Sequence, residues 1–253
     1  EPSLGVHHLT HDITPYNTFE ASYRLFQTVE YWPKGTTFVS VVDPGVGSSR
    51  KSVVALTKTG QYIVTPDNGT LSYIKKDVGI VAVREISEVE NRCSNTELSY
   101  TFHGRDVYAY TGAKIASGHI SFEEVGPELP VDKILEFPVV ETIIEENLVR
   151  GAIDILDVRF GSLWTSITRD DFYALEPNFG DRFEVTIFNN DMLVYQNQVT
   201  YGKSFADVRI GQPIIYINSL YRVGLAINQG SFAKAYNVGL GSNWHIEIKR
   251  LGD

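Results

Sequence analysis

The chain has 253 residues, 43% hydrophobic and 21% charged, which suits one large or two small soluble domains. A formal net charge of -9 argues against a nucleic-acid partner, which needs a basic face. A single cysteine, Cys93, leaves no internal disulfide and fits a reducing, cytoplasmic compartment, and no apolar run approaches a membrane span or a signal peptide. CxxC and HExxH ligand sets are missing, so no metal is expected.

In chain order, Val6–Leu9 predicts a short strand and His11–Pro15 a loop. Thr18 predicts an N-cap for a helix from Phe19 to about Tyr31, where apolar residues recur at helical spacing and Pro33-Lys34-Gly35 ends the run. Then comes Phe38–Arg50, FVSVVDPGVGSSR. An apolar, β-branched run stops at Asp43, and a Gly- and Ser-rich turn leads to Arg50. Such a run reads as a buried strand that delivers a carboxylate to a site, with Arg50 able to fold back toward it. An ordinary Asp-Pro-Gly turn with a salt-bridged Asp reads the same.

Ser52–Thr57 and Gln61–Thr65 flank Lys58-Thr59-Gly60, a hairpin signal, and the second run ends in Pro66-Asp67-Asn68-Gly69. A short helix over Thr70–Lys75, a strand over Ile80–Val83 and a polar loop-plus-helix over Glu85–Ser99 follow. Phe102–Asp106 holds His103 and Arg105 just before a helix expected over Val107–Ser117, where backbone N–H groups favour anions. His103 by itself reads more readily as a surface or capping histidine.

The character changes at 138–148. Upstream, strands alternate with helices. Downstream come short strands over Ala152–Val158, Arg182–Phe188, Leu193–Val199, Ile214–Asn218 and Val223–Ile227, separated by Gly, Asn and Asp turns. The expectation is an α/β domain over 1–137, a linker at 138–148, and an antiparallel barrel or sandwich over 149–253. Two polar clusters stand out there, Asp157–Trp164 and the pair Ile217-Asn218-Ser219 with Ile227–Gly230. Phe160, Trp164 and Phe205 have the rings to stack on an aromatic ligand, or to fill a barrel core.

Taken together and in order, ten segments resemble the S-adenosyl-L-methionine (SAM) hydroxide adenosyltransferases, the adenosine-forming SAM hydrolases related to fluorinase and chlorinase. They are LTHDITPYN, WPKGT, VVDPGVGSSR, TPDNGTLSYI, FHGRDVYA, EVGPEL, DVRFGSLWTSI, SFADV, YINS and AINQGSFA. The resemblance implies a Rossmann-like N-terminal sheet, a C-terminal antiparallel β-barrel and a homotrimer. SAM would lie between one subunit's first domain and a neighbour's barrel, as substrate, with no cofactor. The family's catalytic set falls on Asp43, Arg50 and His103. The resemblance further implies that Asp157 holds the methionine ammonium and Ser219, beside Asn218, the carboxylate. Tyr16 and Phe205 would flank ribose and adenine; Phe160, Ser162 and Trp164 line the same site, and backbone near Ile227 and Gln229 reads the adenine edge.

Halogenating relatives carry Tyr-Pro-x-Thr where this chain has Asp43-Pro44-Gly45-Val46, and fluorinases carry a long insertion at Lys58-Thr59-Gly60. Both differences favour water over halide. The family's Thr/Ser-Asp-x-Gly motif, whose aspartate holds the ribose hydroxyls, has no counterpart in these residues. Family asparagines are replaced by Ser162 and Ser166, which offer one hydroxyl each. The expected activity is hydrolysis of SAM to adenosine and L-methionine. The alternatives are a SAM-dependent halogenase, or a SAM- or adenosine-binding protein without turnover.

Overall fold

The computed structural model describes residues 4–138, 140–157, 159–241 and 243–252. The chain divides into two compact units, Glu1–Phe137 and Pro138–Asp253.

In the first unit, α1 (Thr18–Thr28) is capped by Asn17, not by Thr18 as expected: the Asn17 side-chain oxygen accepts the Glu20 N–H at 2.9 Å. Strands β1 (Thr37–Val39), β2 (Ser52–Thr57), β3 (Tyr62–Pro66) and β4 (Ile80–Glu85) follow, then the short α2 (Glu88–Asn91), α3 (Tyr110–Ala116) and β5 (Glu128–Leu129). The sheet order is β1-β3-β2-β4-β5. Only β1–β3 is parallel. β2–β3, β2–β4 and β4–β5 are antiparallel. A Rossmann-like parallel sheet is therefore not what the described residues form. The Lys58-Thr59-Gly60 turn is too short for a crossover, so it closes a hairpin.

The sheet is covered on both faces. Leu25 of α1 and Val29 just after it pack with Val53, Ala55, Ile63 and Val83, while Val107, Tyr108 and Ile115 pack with Val54 and Val64 on the other side. Helix α3 approaches β1 closely because residue 112 is Gly; a Cβ there would meet Val39 Cγ2 at 2.6 Å.

Two expected strands differ. Val6–Leu9 forms none. The Phe38–Asp43 strand is cut short: the last parallel bond runs from the Ser40 N–H to the Val64 carbonyl at 3.0 Å. The next would need an N–H from Pro66, which has none. Residues 41–43 thus leave the sheet and carry Asp43 into a turn. Two helical segments are wide π-turns, Ile74–Val78 and Gly104–Ala109, the latter running directly into α3.

In the second unit, β6 (Ile143–Glu145) pairs with β7 (Leu148–Leu156), so part of the stretch read as a linker is a hairpin. Then come β8 (Leu163–Thr168), α4 (Arg169–Tyr173), β9 (Arg182–Asn189), β10 (Met192–Tyr201), β11 (Pro213–Ile217), β12 (Arg222–Ile227), α5 (Phe232–Tyr236) and β13 (Trp244–Arg250). The order β13-β9-β10-β11-β12-β8-β7, closed by β13–β7, makes a seven-stranded barrel. It is not wholly antiparallel, since β10 and β11 run parallel; the 202–212 segment crosses back between them. Alternate residues such as Phe183, Val185 and Ile187 point into the core with Val149, Ile153, Leu225 and Ile248, and Phe172 and Phe232 pack against them.

Candidate active site

In the first unit, Asp43, Arg50 and His103 come together. Asn68 Nδ2 donates to the Val42 carbonyl at 2.9 Å and holds the segment that leaves β1. The chain then turns through Gly45 and Gly47. A Cβ at Gly45 would stand 3.3 Å from Arg50 Cγ, so the glycine gives the arginine room to fold back. Arg50 donates through Nε to Asp43 Oδ1 at 2.9 Å and through Nη2 to Oδ2 at 2.5 Å, a bidentate pair whose side chains are only 8% and 6% exposed. Its Nη1 donates to Ser52 Oγ at 2.8 Å.

His103 opens the Gly104–Ala109 turn and is buried. Its Nδ1 lies 3.1 Å from Arg50 Nη2. A guanidinium only donates, so Nδ1 accepts, and the neutral ring carries its proton on Nε2. That Nε2 is buried and has no hydrogen-bond partner among the described residues. Burial pushes the imidazole below the ordinary histidine value; Glu88 and Asp43 oppose the shift, and Arg50 and Arg92 add to it. The site thus holds a neutral imidazole beside a paired carboxylate.

Sequence reading missed four neighbours. Tyr108 Oη lies 3.0 Å from Ser52 Oγ and 3.4 Å from Asp43 Oδ2, and Arg50 Cζ sits 5.5 Å from the Tyr108 ring centre. Glu88 Oε1 is 4.0 Å from His103 Nδ1, and Arg92 Nη1 holds Glu88 Oε2 at 2.7 Å. A π-turn brings residues about five apart onto one side, which is why His103 and Tyr108 both face Arg50; an assumed α-helix hides that spacing. Arg105 of the same cluster is exposed and pairs with Asp106 instead. Tyr16, also of this unit, is 80% exposed with φ 69°.

In the second unit, Asp157 follows β7, and its Oδ1 accepts the N–H groups of Arg159 and Phe160, both at 2.9 Å. Val158 lies outside the described residues. Phe160 is 71% exposed. Trp164 of β8, Gly224 of β12 and Tyr216 of β11 lie side by side across three strands. Because residue 224 is Gly, the Tyr216 ring crosses it and accepts the Trp164 Nε1–H at 2.8 Å. Phe205 packs edge-on against Tyr216, with ring centres 5.1 Å apart. Ser162 also hydrogen-bonds Tyr216, whose phenol burial pushes above the ordinary tyrosine value. Tyr216 was not singled out from sequence, although it opens the YINS segment. Ser166 is spoken for: its hydroxyl accepts the Ala152 N–H at 2.9 Å in the barrel wall.

Register separates two expected contacts from the rest. Leu163 pairs with Leu156 and Leu225, and Ile227 with Pro213, so Asp157, Ser162, Ile227 and Gln229 gather at one end of the barrel. Asn218 and Ser219 lie in the β11–β12 turn at the other end, beside Arg169, whose N–H reaches the Tyr221 carbonyl at 2.7 Å. Asn218 Oδ1 holds that turn through the Leu220 and Arg222 N–H groups. Ser219 and Gln229 are exposed, and Ile227 is half-buried.

Comparison with known proteins brings these features under one heading. The family model of the SAM hydroxide adenosyltransferase N-terminal domain matches residues 1–126, and that of the C-terminal domain matches residues 151–245. The chain is 30% identical over 240 residues to the (R)-S-adenosyl-L-methionine hydrolase of Thermus thermophilus, covering 92% of this chain and 84% of that protein. It is 37% identical over 163 residues to the enzyme of that name from Methanocaldococcus jannaschii, covering 64% and 54%. Identity to a fluorinase from Actinopolyspora mzabensis is 27% over 260 residues, covering 93% and 85%. A crystal structure of an uncharacterized conserved protein from Thermotoga maritima superposes with a TM-score of 0.88 at 32% identity, covering 98% of this chain and 90% of that one.

Proposed function

Since this chain belongs to the SAM hydroxide adenosyltransferase family and is an enzyme that hydrolyses SAM to adenosine and L-methionine, we propose that Asp43, Arg50 and His103 hold the attacking water in line with C5′ of the ribose. The observation that carries this reading is the buried Asp43–Arg50 pair beside a histidine whose Nε2 is unpartnered among the described residues. SAM is a sulfonium. Breaking its C5′–S bond releases a neutral thioether, so the leaving group needs no proton. The protein's task is to orient and desolvate one water.

The hydrogen-bond directions support a division of labour. With its proton on Nε2, His103 donates to the water oxygen and orients it. Asp43 Oδ2 receives Arg50 and Tyr108, while Oδ1 receives only Arg50 Nε among the described residues. Oδ1 therefore keeps a lone pair for the water's proton as attack proceeds, which makes Asp43 the base. In the second unit, the Trp164–Tyr216–Phe205 surface over Gly224 is the proposed adenine platform, with Phe160, Ser162, Ile227 and Gln229 at its rim and Asp157 toward the methionine ammonium. Tyr16 is the proposed ribose neighbour. The hydrolase relatives are named for the R epimer at sulfur, and we assign the same epimer preference to this chain. We further propose a homotrimer in which Asn218 and Ser219 complete the methionine end from a different subunit than the one that supplies Asp157, since the two turns lie at opposite ends of one barrel. Light scattering that shows only monomer at micromolar concentration counts against that assembly.

The nucleophile is tested directly. Two unit charges about 4 Å apart repel by about 4 kcal/mol at an effective dielectric of 20; Arg50, paired with Asp43, offsets part of that field, so Asp43 disfavours a halide in part, whereas water can donate to it. Each SAM epimer is incubated with the protein in ¹⁸O-labelled water with excess chloride, and the nucleosides are analysed by mass spectrometry. The expected product is adenosine labelled at its 5′ oxygen, formed faster from the R epimer. Mainly 5′-chloro-5′-deoxyadenosine identifies a halogenase, and SAM bound but intact identifies a binding protein.

A further inference from the structure

Four side chains close a ring behind the proposed attacking water. Arg50 Nη1 donates to Ser52 Oγ at 2.8 Å, Ser52 Oγ and Tyr108 Oη are 3.0 Å apart, Tyr108 Oη is 3.4 Å from Asp43 Oδ2, and Asp43 returns to Arg50 through the bidentate pair. Elementary donor and acceptor rules orient every link. Arg50 only donates and the carboxylate only accepts. Ser52 accepts from Arg50, so its single hydrogen is left for Tyr108. The phenol hydrogen then belongs to Asp43 Oδ2. The reverse polarity, Tyr108 donating to Ser52, leaves the serine hydrogen and the Asp43 contact unsatisfied. Ser52 is 5% exposed and Tyr108 fully buried, where an unmade bond is costly. Burial holds the phenol well above the ordinary tyrosine range, so it stays a neutral donor.

We propose that Tyr108 and Ser52 are positioning residues that fix the Asp43 carboxylate, loading two donors on Oδ2 and turning the freer Oδ1 toward the attacking water. This rests on the hydrolase mechanism above. Neither residue touches substrate in this scheme. They act through Asp43 and Arg50, and a carboxylate rotated away from the water loses the transition state more than it loses bound SAM.

Tyr108→Phe removes one oxygen and keeps the ring under Arg50, and Ser52→Ala removes the other hydroxyl. Adenosine release at saturating SAM is expected to fall about 10- to 100-fold in each, the usual range for a hydrogen bond to a charged group, with KM little changed. Because both changes open one ring, the double variant should be no slower than the slower single, within about threefold. Wild-type kcat in Tyr108→Phe overturns the proposal, including where only the urea midpoint drops. Effects that multiply in the double variant overturn it too. The same cycle run on urea unfolding reads the ring without turnover: non-additive changes support it, and additive changes sink it. If the wild-type protein releases no adenosine from either epimer, the hydrolase reading fails instead, and the unfolding cycle alone judges the ring.

Discussion

Replacing Asp43 by asparagine changes almost no volume, so its effects trace to hydrogen-bond direction and charge. In the native site both carboxylate oxygens accept from Arg50, at 2.9 and 2.5 Å. An amide offers one oxygen and one NH₂ group. Whichever way the new amide turns, one Arg50 N–H meets another donor. The two native side chains are only 6% and 8% exposed, so the mismatch falls in a largely desolvated place. Removing one member of a buried ion pair costs about 3–5 kcal/mol. That loss should appear as a lower urea midpoint of the first unit. Turnover suffers separately, because the proposed proton acceptor has lost its charge. A loss of about 10²–10⁴ in kcat, or about 3–5.5 kcal/mol of barrier, is the range for removing a general base. Adenosine release is followed chromatographically at saturating SAM, and KM is measured on the same variant. If kcat stays within about threefold of wild type, or if only KM rises, Asp43 is not the base and the assignment of Oδ1 to the water is wrong.

His103→Ala should lower kcat by about 10²-fold, the usual effect of losing one oriented donor, with KM little changed; stopped-time assays at saturating SAM check this. His103 also sets a pH dependence of stability. Its folded value lies below 6.5, chiefly through burial, so as pH falls the unfolded chain takes this proton first. The first unit should therefore keep this contribution above pH 6.5 and lose it progressively between 6.5 and the lowered folded value. Urea titrations across that window should show the slope in wild type and not in His103→Gln. Gly224→Ala should raise KM for SAM and leave kcat close to wild type. Its Cβ would meet Tyr216 Cζ at 2.6 Å and push the ring off Trp164; overpacking of this kind costs about 1–3 kcal/mol of barrel stability. An unchanged KM would remove the Trp164–Tyr216 surface from the substrate site.

Features that depend on near neighbours in the chain were legible in the order of residues. The Lys58-Thr59-Gly60 hairpin, the change of character near residue 138, the polar turn after Val42 and the short barrel strands all arise from local turn chemistry and hydrophobic period, which a linear reading captures. The early end of β1 was also local, since Pro66 lacks the N–H that the next parallel bond requires, but it becomes visible only once β3 is known to be the partner. Long-range packing set the rest. Arg50 and His103 are separated by 53 residues, and the packing of the Gly104–Ala109 turn and α3 on the sheet brings the imidazole to the guanidinium. Ser52 falls within an expected strand and Tyr108 within an expected helix, and neither stands out, because a hydroxyl's partner cannot be read from its own sequence position. The register of β7, β8, β12 and β11 likewise set Asp157 and Ser219 at opposite ends, although both sit in turns between barrel strands. Pairing register is a property of two strands at once, and hydrogen-bond direction is a property of the whole ring of donors and acceptors; neither is carried by any single segment of the chain.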